Sequence, residues 1–549
     1  MSVYTSDISN NRECKLLGQY YTAPSIADFM AQWGIRNSED IVLEPSFGEG
    51  VFLTSIQKYL GLIGGKENQI YGVEKDINNY KKVLSLLTTI HIPRENLFVE
   101  DFFRLDSRLF KVDVVVGNPP FIRYQYFKGE ERERALKRAQ ETGVLISGFT
   151  SSWAPFVAHA ISFLKNNGRL AMIVPSEILN AYYARSLLIK LQESFSTIKV
   201  VSFKENLFPY LCTNSQLLLC EGFGMSSKSF YVHKANSIND IKTTNLNLSP
   251  GYELKIDSIV YDGQRPMLYS LPENTQELYT SLISNPYVTR LGTLTNIKIG
   301  YVTGHNEYFH LSYEDIKKWK IQPNEVRPII RRGRDLNCFG LSTNQKIWDN
   351  LAANNKCLLF YPDKKPSDGA KKYIQFGEKN NVHKGYKCSC REPWWLTPDV
   401  NVPNLFLPVM SNGNPRLVAN KGGYSGTNTL LALYQNENIK IDSLDISVSS
   451  LSSLFQLSAE IEGHMMGGGS LKFEPREAKQ ILIPDLRVFE IDNNSRKRIE
   501  AYISANEFDK ATDLVDYLYL SEGLKLTSYE ISIIREATEF LKDNRINKC

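Results

Sequence analysis

Val112-Asp113-Val114-Val115-Val116-Gly117-Asn118-Pro119-Pro120-Phe121 is the stretch that decides the fold. A valine-rich apolar run is what a parallel strand needs when both its faces are covered, because β-branched side chains fit the pleat. Gly117 ends the run, and two prolines then bar both a helix and a continued ladder. Asn118, the Pro119 carbonyl and the Phe121 ring are thereby held at the carboxyl end of a strand, where open α/β sheets bind ligands. An amide oxygen, a carbonyl and an aromatic face together suit a planar group bearing an exocyclic amine. A plain strand followed by a Pro-Pro turn explains these residues equally well, so the neighbouring strands must decide.

Upstream, the loop Gly18–Pro24 leads to Ser25, a cap for a helix over Ile26–Trp33. Ile41-Val42-Leu43 then forms a short strand running into Glu44-Pro45-Ser46-Phe47-Gly48-Glu49-Gly50. Strand, glycine turn and helix make the first βα unit of a doubly wound sheet, with Gly48 and Gly50 permitting close backbone approach to a ligand. The next strand, Gln69–Val73, ends in Glu74, about twenty residues beyond the turn, the spacing at which nucleotide-binding folds place a ribose-binding carboxylate. A third strand, Leu97–Val99, carries Glu100-Asp101 at its tip. Four successive strand ends thus bring a glycine turn, Glu74, Asp101 and Asn118 to one edge, which outweighs the bland reading of each alone. Downstream, the charged segment Lys128–Glu141 reads as mobile. It precedes a helix over Trp153–Leu164, a strand over Leu170–Val174, and a hairpin pairing Ile198–Phe203 with Gln216–Cys220 across a loop that contains Phe208.

At 549 residues the chain needs two or three domains. The polar stretch Met225–Leu248 reads as a boundary, dividing the chain into 1–245, a mixed α/β region 246–490, and an amphipathic helical segment 491–549. No apolar run is long enough to cross a bilayer and no signal peptide opens the chain. The eight cysteines are scattered, and Cys388-Ser389-Cys390 lacks metal-knuckle spacing, so reduced thiols, a cytoplasmic protein and no metal are expected. A net charge of +4 permits an anionic partner without demanding one. Basic residues bunch in the second region, notably Arg331, Arg332 and Arg334, then Lys384, Lys387 and Arg391, among Tyr386, Trp394 and Trp395. Such clusters with interleaved aromatics fit a nucleic-acid surface, although solvated faces are the commoner explanation of any one of them.

Taken together, these motifs resemble the γ-class adenine-N6 DNA methyltransferases. In that family an N-terminal cofactor loop, an acid-Pro-x-x-Gly-x-Gly turn, a ribose acid, an adenine acid and an Asn-Pro-Pro-aromatic motif precede a C-terminal target-recognition domain. The likeness is strongest over residues 18–223 and continues more weakly through Gly300–Asn306, Arg331–Asp335 and Lys472–Glu477. The resemblance implies a Rossmann-like catalytic sheet that uses S-adenosylmethionine. Thr22, Glu44, Pro45, Gly48 and Gly50 would hold the cofactor's methionine end, Glu74 its ribose and Asp101 its adenine amine, with Phe156 packed on the adenine ring and Asn118 beside the methyl group. Asn118, Pro119, Pro120 and Phe121 would form the catalytic motif, with Phe121 and Phe208 stacking on a flipped-out adenine of double-stranded DNA. The family's usual place is as the modification enzyme of a restriction–modification system, with a separately encoded restriction endonuclease as partner. Glu49, Lys75 and Phe121 depart from the commoner residues at their positions. RNA adenine, a glutamine amide, or a catalytically silent cofactor-sensing DNA-binding protein are the alternatives these motifs leave open.

Overall fold

The computed structural model describes residues 22–146, 150–179, 181–203, 215–243, 251–260, 265–466 and 469–546. The chain divides into two units, Met1–Ser270 and Leu271–Cys549.

The first unit is built on a nine-stranded α/β sheet. Its strands are β1 (Val42–Glu44), β2 (Ile70–Glu74), β3 (Leu97–Val99), β4 (Val112–Gly117), β5 (Leu164–Pro175), β6 (Phe195–Phe203), β7 (Ser215–Phe223), β8 (Ser229–Ala235) and β9 (Gly251–Lys255). They lie in the order β3-β2-β1-β4-β5-β7-β6-β8-β9. The pairings β2–β3, β1–β2, β1–β4 and β4–β5 are parallel, whereas β7 runs antiparallel to both β5 and β6. Strand order therefore reverses between β1 and β4, which makes their carboxyl ends the ligand-binding crevice of such a sheet. Val114, Val115 and Val116 are buried, as a strand covered on both faces requires.

Helices α1 (Pro24–Gly34), α2 (Val51–Leu62), α3 (Ile77–Ile90), α4 (Gly129–Glu141) and α5 (Trp153–Ile161) accompany the parallel strands. Every residue of α5 is buried, which fits its continuous apolar composition. Three expectations are corrected. Helix α1 starts at Pro24 rather than after a Ser25 cap, with Ala23 at the cap position and no side-chain cap bond. Proline's fixed φ and missing N–H suit the first helical position. The segment expected to be mobile is α4, with Glu130 and Glu131 in its first turn, the pairs Arg134–Glu130 and Arg138–Glu141, and Ala135 and Ala139 buried. Finally, Met225–Leu248 is not a linker. It contains β8, and β9 pairs antiparallel with β8 beyond the expected boundary at 245, so sheet hydrogen bonding carries the first unit past that point.

The second unit holds two four-stranded sheets over a core that includes Tyr308, Trp348, Tyr373 and Phe406. One sheet joins Thr295–Ile299, Leu430–Gln435, Leu405–Pro408 and Val418–Ala419; the other joins His310–Leu311, Leu358–Phe360, Val326–Ile330 and Ser425–Gly426. The C-terminal helices Asn493–Ser504, Phe508–Asp516 and Ser528–Ile546 belong to this unit rather than standing apart. Arg545 is fully buried and forks onto Glu460, with Nη2 and Nε at 2.7 and 3.1 Å from its two oxygens, while Nη1 donates to Gly469 O. Asp516 accepts from Ser453 N and Oγ at 2.8 and 2.6 Å and from Arg535. Among the described residues no helix is long and apolar enough to cross a membrane.

Removing one partner of a buried pair strands the other charge, so Arg545→Met should cost the second unit about 3–5 kcal/mol. Urea denaturation, with hydrogen exchange followed across Ser453–Glu462, measures this. The double variant with Glu460→Leu should recover much of the loss, and an unchanged single variant would contradict the assignment.

Candidate active site

The β1 tip sets the first wall of the crevice. Phe47 N donates to Val73 O at 3.0 Å, folding the turn after β1 over toward β2, and Gly50 N closes it on Phe47 O at 2.8 Å. Gly50 caps α2 with φ of 87°, in the left-handed region glycine tolerates, and a Cβ there would stand 3.0 Å from Val83. Gly48, at φ of 52°, faces open space: a Cβ would meet nothing within 4 Å. Its N–H donates to Glu74 Oε2 at 2.7 Å, and Asp76 N donates to Glu74 Oε1 at 2.7 Å. The glycine turn and Glu74 are thus one hydrogen-bonded piece.

The β4 tip sets the second wall. Gly117 lies against Pro45, since a Cβ would come within 3.3 Å of the proline Cδ. Ser46 Oγ donates to Asn118 O at 3.0 Å, and Asn118 Nδ2 donates to Thr22 Oγ1 at 3.2 Å. Asn118 is therefore tied both to the glycine turn and to buried Thr22. Just beyond it, Ser152 at the start of α5 donates through Oγ to Pro120 O and accepts from Ile122 N at 2.8 Å, while its own N–H donates to Ile122 O at 3.0 Å. The Asn-Pro-Pro-Phe segment is pinned at both ends, and Phe121 is buried in it.

Asp101 occupies the β3 tip. Oδ1 accepts from Phe103 N at 3.1 Å, and Oδ2 accepts from Arg134 Nε and Nη2 at 3.3 and 3.2 Å. Phe156 is buried beside Phe102 and Phe103, with ring centroids at 4.7 and 5.7 Å. In the same aromatic cluster His159 contacts Phe102 O, and burial, with Arg138 adding, pushes it down to about 4, so it stays neutral. The departures from family residues are balanced locally: Lys82 pairs with Glu49 at 2.7 Å and Lys75 with Glu131 at 2.6 Å. Burial drives Glu44 well above the usual carboxylate range, with the Glu74 charge adding to the rise and the Leu53 N–H opposing it. Glu74 is raised as well, again mainly by burial, against the Asp76 and Gly48 N–H groups.

Sequence reading missed Ser46, Ser152 and Arg134. Ser152 carries a sequence signal, a serine just before a helix that is apolar except for His159; Ser46 and Arg134 carry none, because their partners are distant in sequence. Phe208 lies outside the described residues. In the second unit Arg391 donates through Nη1 and Nη2 to Thr303 O and Val302 O at 2.8 and 2.7 Å, and Arg331 pairs with Glu307 at 2.9 Å. Arg334, Lys384 and Lys387 are exposed, and Arg332 is partly exposed. Trp394 and Trp395 pack against the core and Tyr386 alone of the three aromatics stands exposed, which corrects the picture of aromatics interleaved along a basic surface.

Both regions of the chain have counterparts among known methyltransferases. Residues 3–219 match the N-6 DNA Methylase family and residues 264–520 match the Type II methyltransferase M.Eco57I, C-terminal domain. Type II methyltransferase M.AccI of Acinetobacter calcoaceticus is 24% identical over 88% of this chain and 88% of its own length. Type II methyltransferase M.BstVI of Geobacillus stearothermophilus is 22% identical over 96% and 99%. Among solved structures, the Type IIL restriction-modification enzyme MmeI in complex with DNA shares the fold at a TM-score of 0.53 and 13% identity, covering 97% of this chain and 76% of that one.

A cation seated between Glu44 and Glu74 favours their ionised forms and lowers both raised values. Under the proposed cofactor placement, binding of S-adenosylmethionine should therefore release protons wherever these carboxyls are still protonated in the free protein, and the release should fade as rising pH ionises them. Affinity should rise with pH until the free protein's own carboxyls have ionised. Calorimetry in buffers of different ionisation heat measures this, and binding with no proton release even at acid pH would show that the carboxylates are charged before the ligand arrives.

Proposed function

The chain is a DNA adenine methyltransferase of the N-6 DNA methylase family with a type II C-terminal domain, and from that premise we propose that its first unit methylates N6 of an adenine flipped out of duplex DNA at the β1–β4 crevice. The observation that carries this reading is the tie of Asn118 to both Ser46 and Thr22, which fastens the base-facing motif to the glycine turn and to the N-terminal loop.

The residues fit S-adenosylmethionine. Glu44 Oε2 is buried with no hydrogen-bond partner among the described residues, and the open side of Gly48 leaves room above the turn. Thr22, Glu44, Pro45, Gly48 and Gly50 would hold the methionine end, Glu74 the ribose, and Asp101 the adenine amine. Bound there, S-adenosylmethionine supplies an electrophilic methyl group on a sulfonium. Phe156 is seated against Phe102 and Phe103, so any contact with the adenine would come from the edge of that cluster.

Adenine N6 is a poor nucleophile because its lone pair is delocalised into the ring. The Asn118 side-chain oxygen and the Pro119 carbonyl would accept the amine hydrogens, favouring a more tetrahedral nitrogen and turning its lone pair toward the methyl. The Nδ2–Thr22 bond sets which way round the Asn118 amide lies, and the Ser152 contacts fix the backbone that carries the Pro119 and Pro120 carbonyls. Positioning then supplies most of the rate, as expected for a displacement from a good leaving group. Phe121 would offer the flipped base an aromatic contact, offsetting unstacking by about 1–3 kcal/mol. Phe208, outside the described residues, stands as the proposed opposite face.

The second unit would select the sequence, with exposed Arg334, Lys384 and Lys387 placed to hold phosphates. Arg331, Arg332 and Arg391 would act by fixing the loops that carry base-reading groups. A separately encoded endonuclease acting on the same sequence would complete the system.

Expression in a methylation-free host followed by single-molecule sequencing tests the reading. One short motif carrying N6-methyladenine is the expected result, and an unmodified genome from a well-expressed chain would refute it. Asn118→Ala should keep S-adenosylmethionine binding and lower single-turnover transfer by about 100- to 1000-fold, the loss typical of one positioned polar group.

A further inference from the structure

Helix α4 turns one side to the tips of β2 and β3. Glu131, Arg134 and Arg138 fall at helical spacing on that side. Glu131 holds Lys75, the residue after Glu74, and Arg138 Nε donates to Phe103 O at 3.0 Å. Between these two anchors Arg134 reaches Asp101, presenting Nε and Nη2 to the one oxygen, Oδ2. The other oxygen, Oδ1, takes the Phe103 N–H. An ionised carboxylate offers about four lone-pair positions, so three donors from two directions fix its plane and leave acceptor capacity on Oδ1.

We propose that Arg134 is a positioning residue for cofactor recognition: through Asp101 it sets the acceptor that reads the exocyclic amine of the cofactor's adenine. This rests on the reading of Asp101 as that acceptor. The Arg134 side chain is 31% exposed, and an ion pair so close to solvent adds little to folding. Its consequence is orientation. The guanidinium and the Phe103 N–H hold the Asp101 carboxylate with an acceptor lone pair free on Oδ1, so a ligand with an amine at that ring position is favoured over one with a carbonyl oxygen there. Lysine at this position would keep the charge but lose the fork.

Binding of two ligands to the full-length chain tests this: S-adenosylhomocysteine, which has the amine, and S-inosylhomocysteine, which has an oxygen in its place. The wild type should prefer the amine ligand. Arg134→Met should weaken S-adenosylhomocysteine by about tenfold and shift S-inosylhomocysteine by no more than about twofold, so that the preference collapses. Arg134→Lys should fall between the two. Equal losses for both ligands, the signature of general structural support, would overturn the proposal, as would unchanged binding of both. Asp101→Ala separates the premise from the inference. If it abolishes the preference while Arg134→Met does not, the role of Arg134 fails alone; if it leaves the preference intact, the placement of the adenine fails too.

Discussion

Strands β1 and β4 pair in parallel through Val42–Val114 and Leu43–Val115, and this register decides where every group at the crevice stands. It sets Glu44 level with the end of β4 and lets Pro45 lie against Gly117, where any side chain would have to push the proline ring away. It also brings Ser46 within reach of the Asn118 carbonyl. A slip of one residue would carry the partly exposed Asp113 into the buried place of Val114, so burial of Val114–Val116 specifies the register strongly. Hydrophobic burial in the strand thus places a hydrogen bond just beyond it.

The same geometry gathers carboxylates at one edge, which opposes folding unless they are neutralised, hydrogen-bonded or matched by a ligand. The first two solutions appear. Glu74 takes two backbone N–H groups, Asp101 takes one with a guanidinium, and Glu49 takes Lys82. Glu44 has the least support, being buried beside Glu74 with one oxygen lacking a partner among the described residues. That imbalance is what the proposed binding of a cationic cofactor would offset. On the proposed reading, a cationic methyl donor bound at this strand tip would relieve that cost.

Strand tips were legible in the sequence because burial and turn chemistry act locally. A valine run, a glycine turn and an acid about twenty residues later each signal their role without knowledge of distant partners. The nine-stranded sheet was harder. Strand β8 lies in a polar stretch whose composition suggests a linker and β9 lies just beyond it, and only pairing across the sheet makes them strands of the first unit. Helix α4 shows the same limit. Its dense charge reads as solvated, and nothing near Arg134 in sequence reveals Asp101, thirty-three residues away. In the second unit Trp394 reads as a surface aromatic beside basic residues, yet its ring lies 5.5 Å from Tyr308 in the core.

Arg391 carries that last contrast to a functional consequence. Clustered cations suggest phosphate contacts, but its two terminal nitrogens are bound to the Val302 and Thr303 carbonyls, and Gly304 sits so close that a Cβ would clash with Lys387. The segment from Gly300 to Asn306 is therefore braced from beneath, while Val302 remains exposed. A loop fixed before binding loses less conformational freedom when it docks, and it presents its side chains at set positions. On the proposed reading Arg391 would serve recognition by fixing the backbone, with its charge acting on a nucleic acid only as part of the local field.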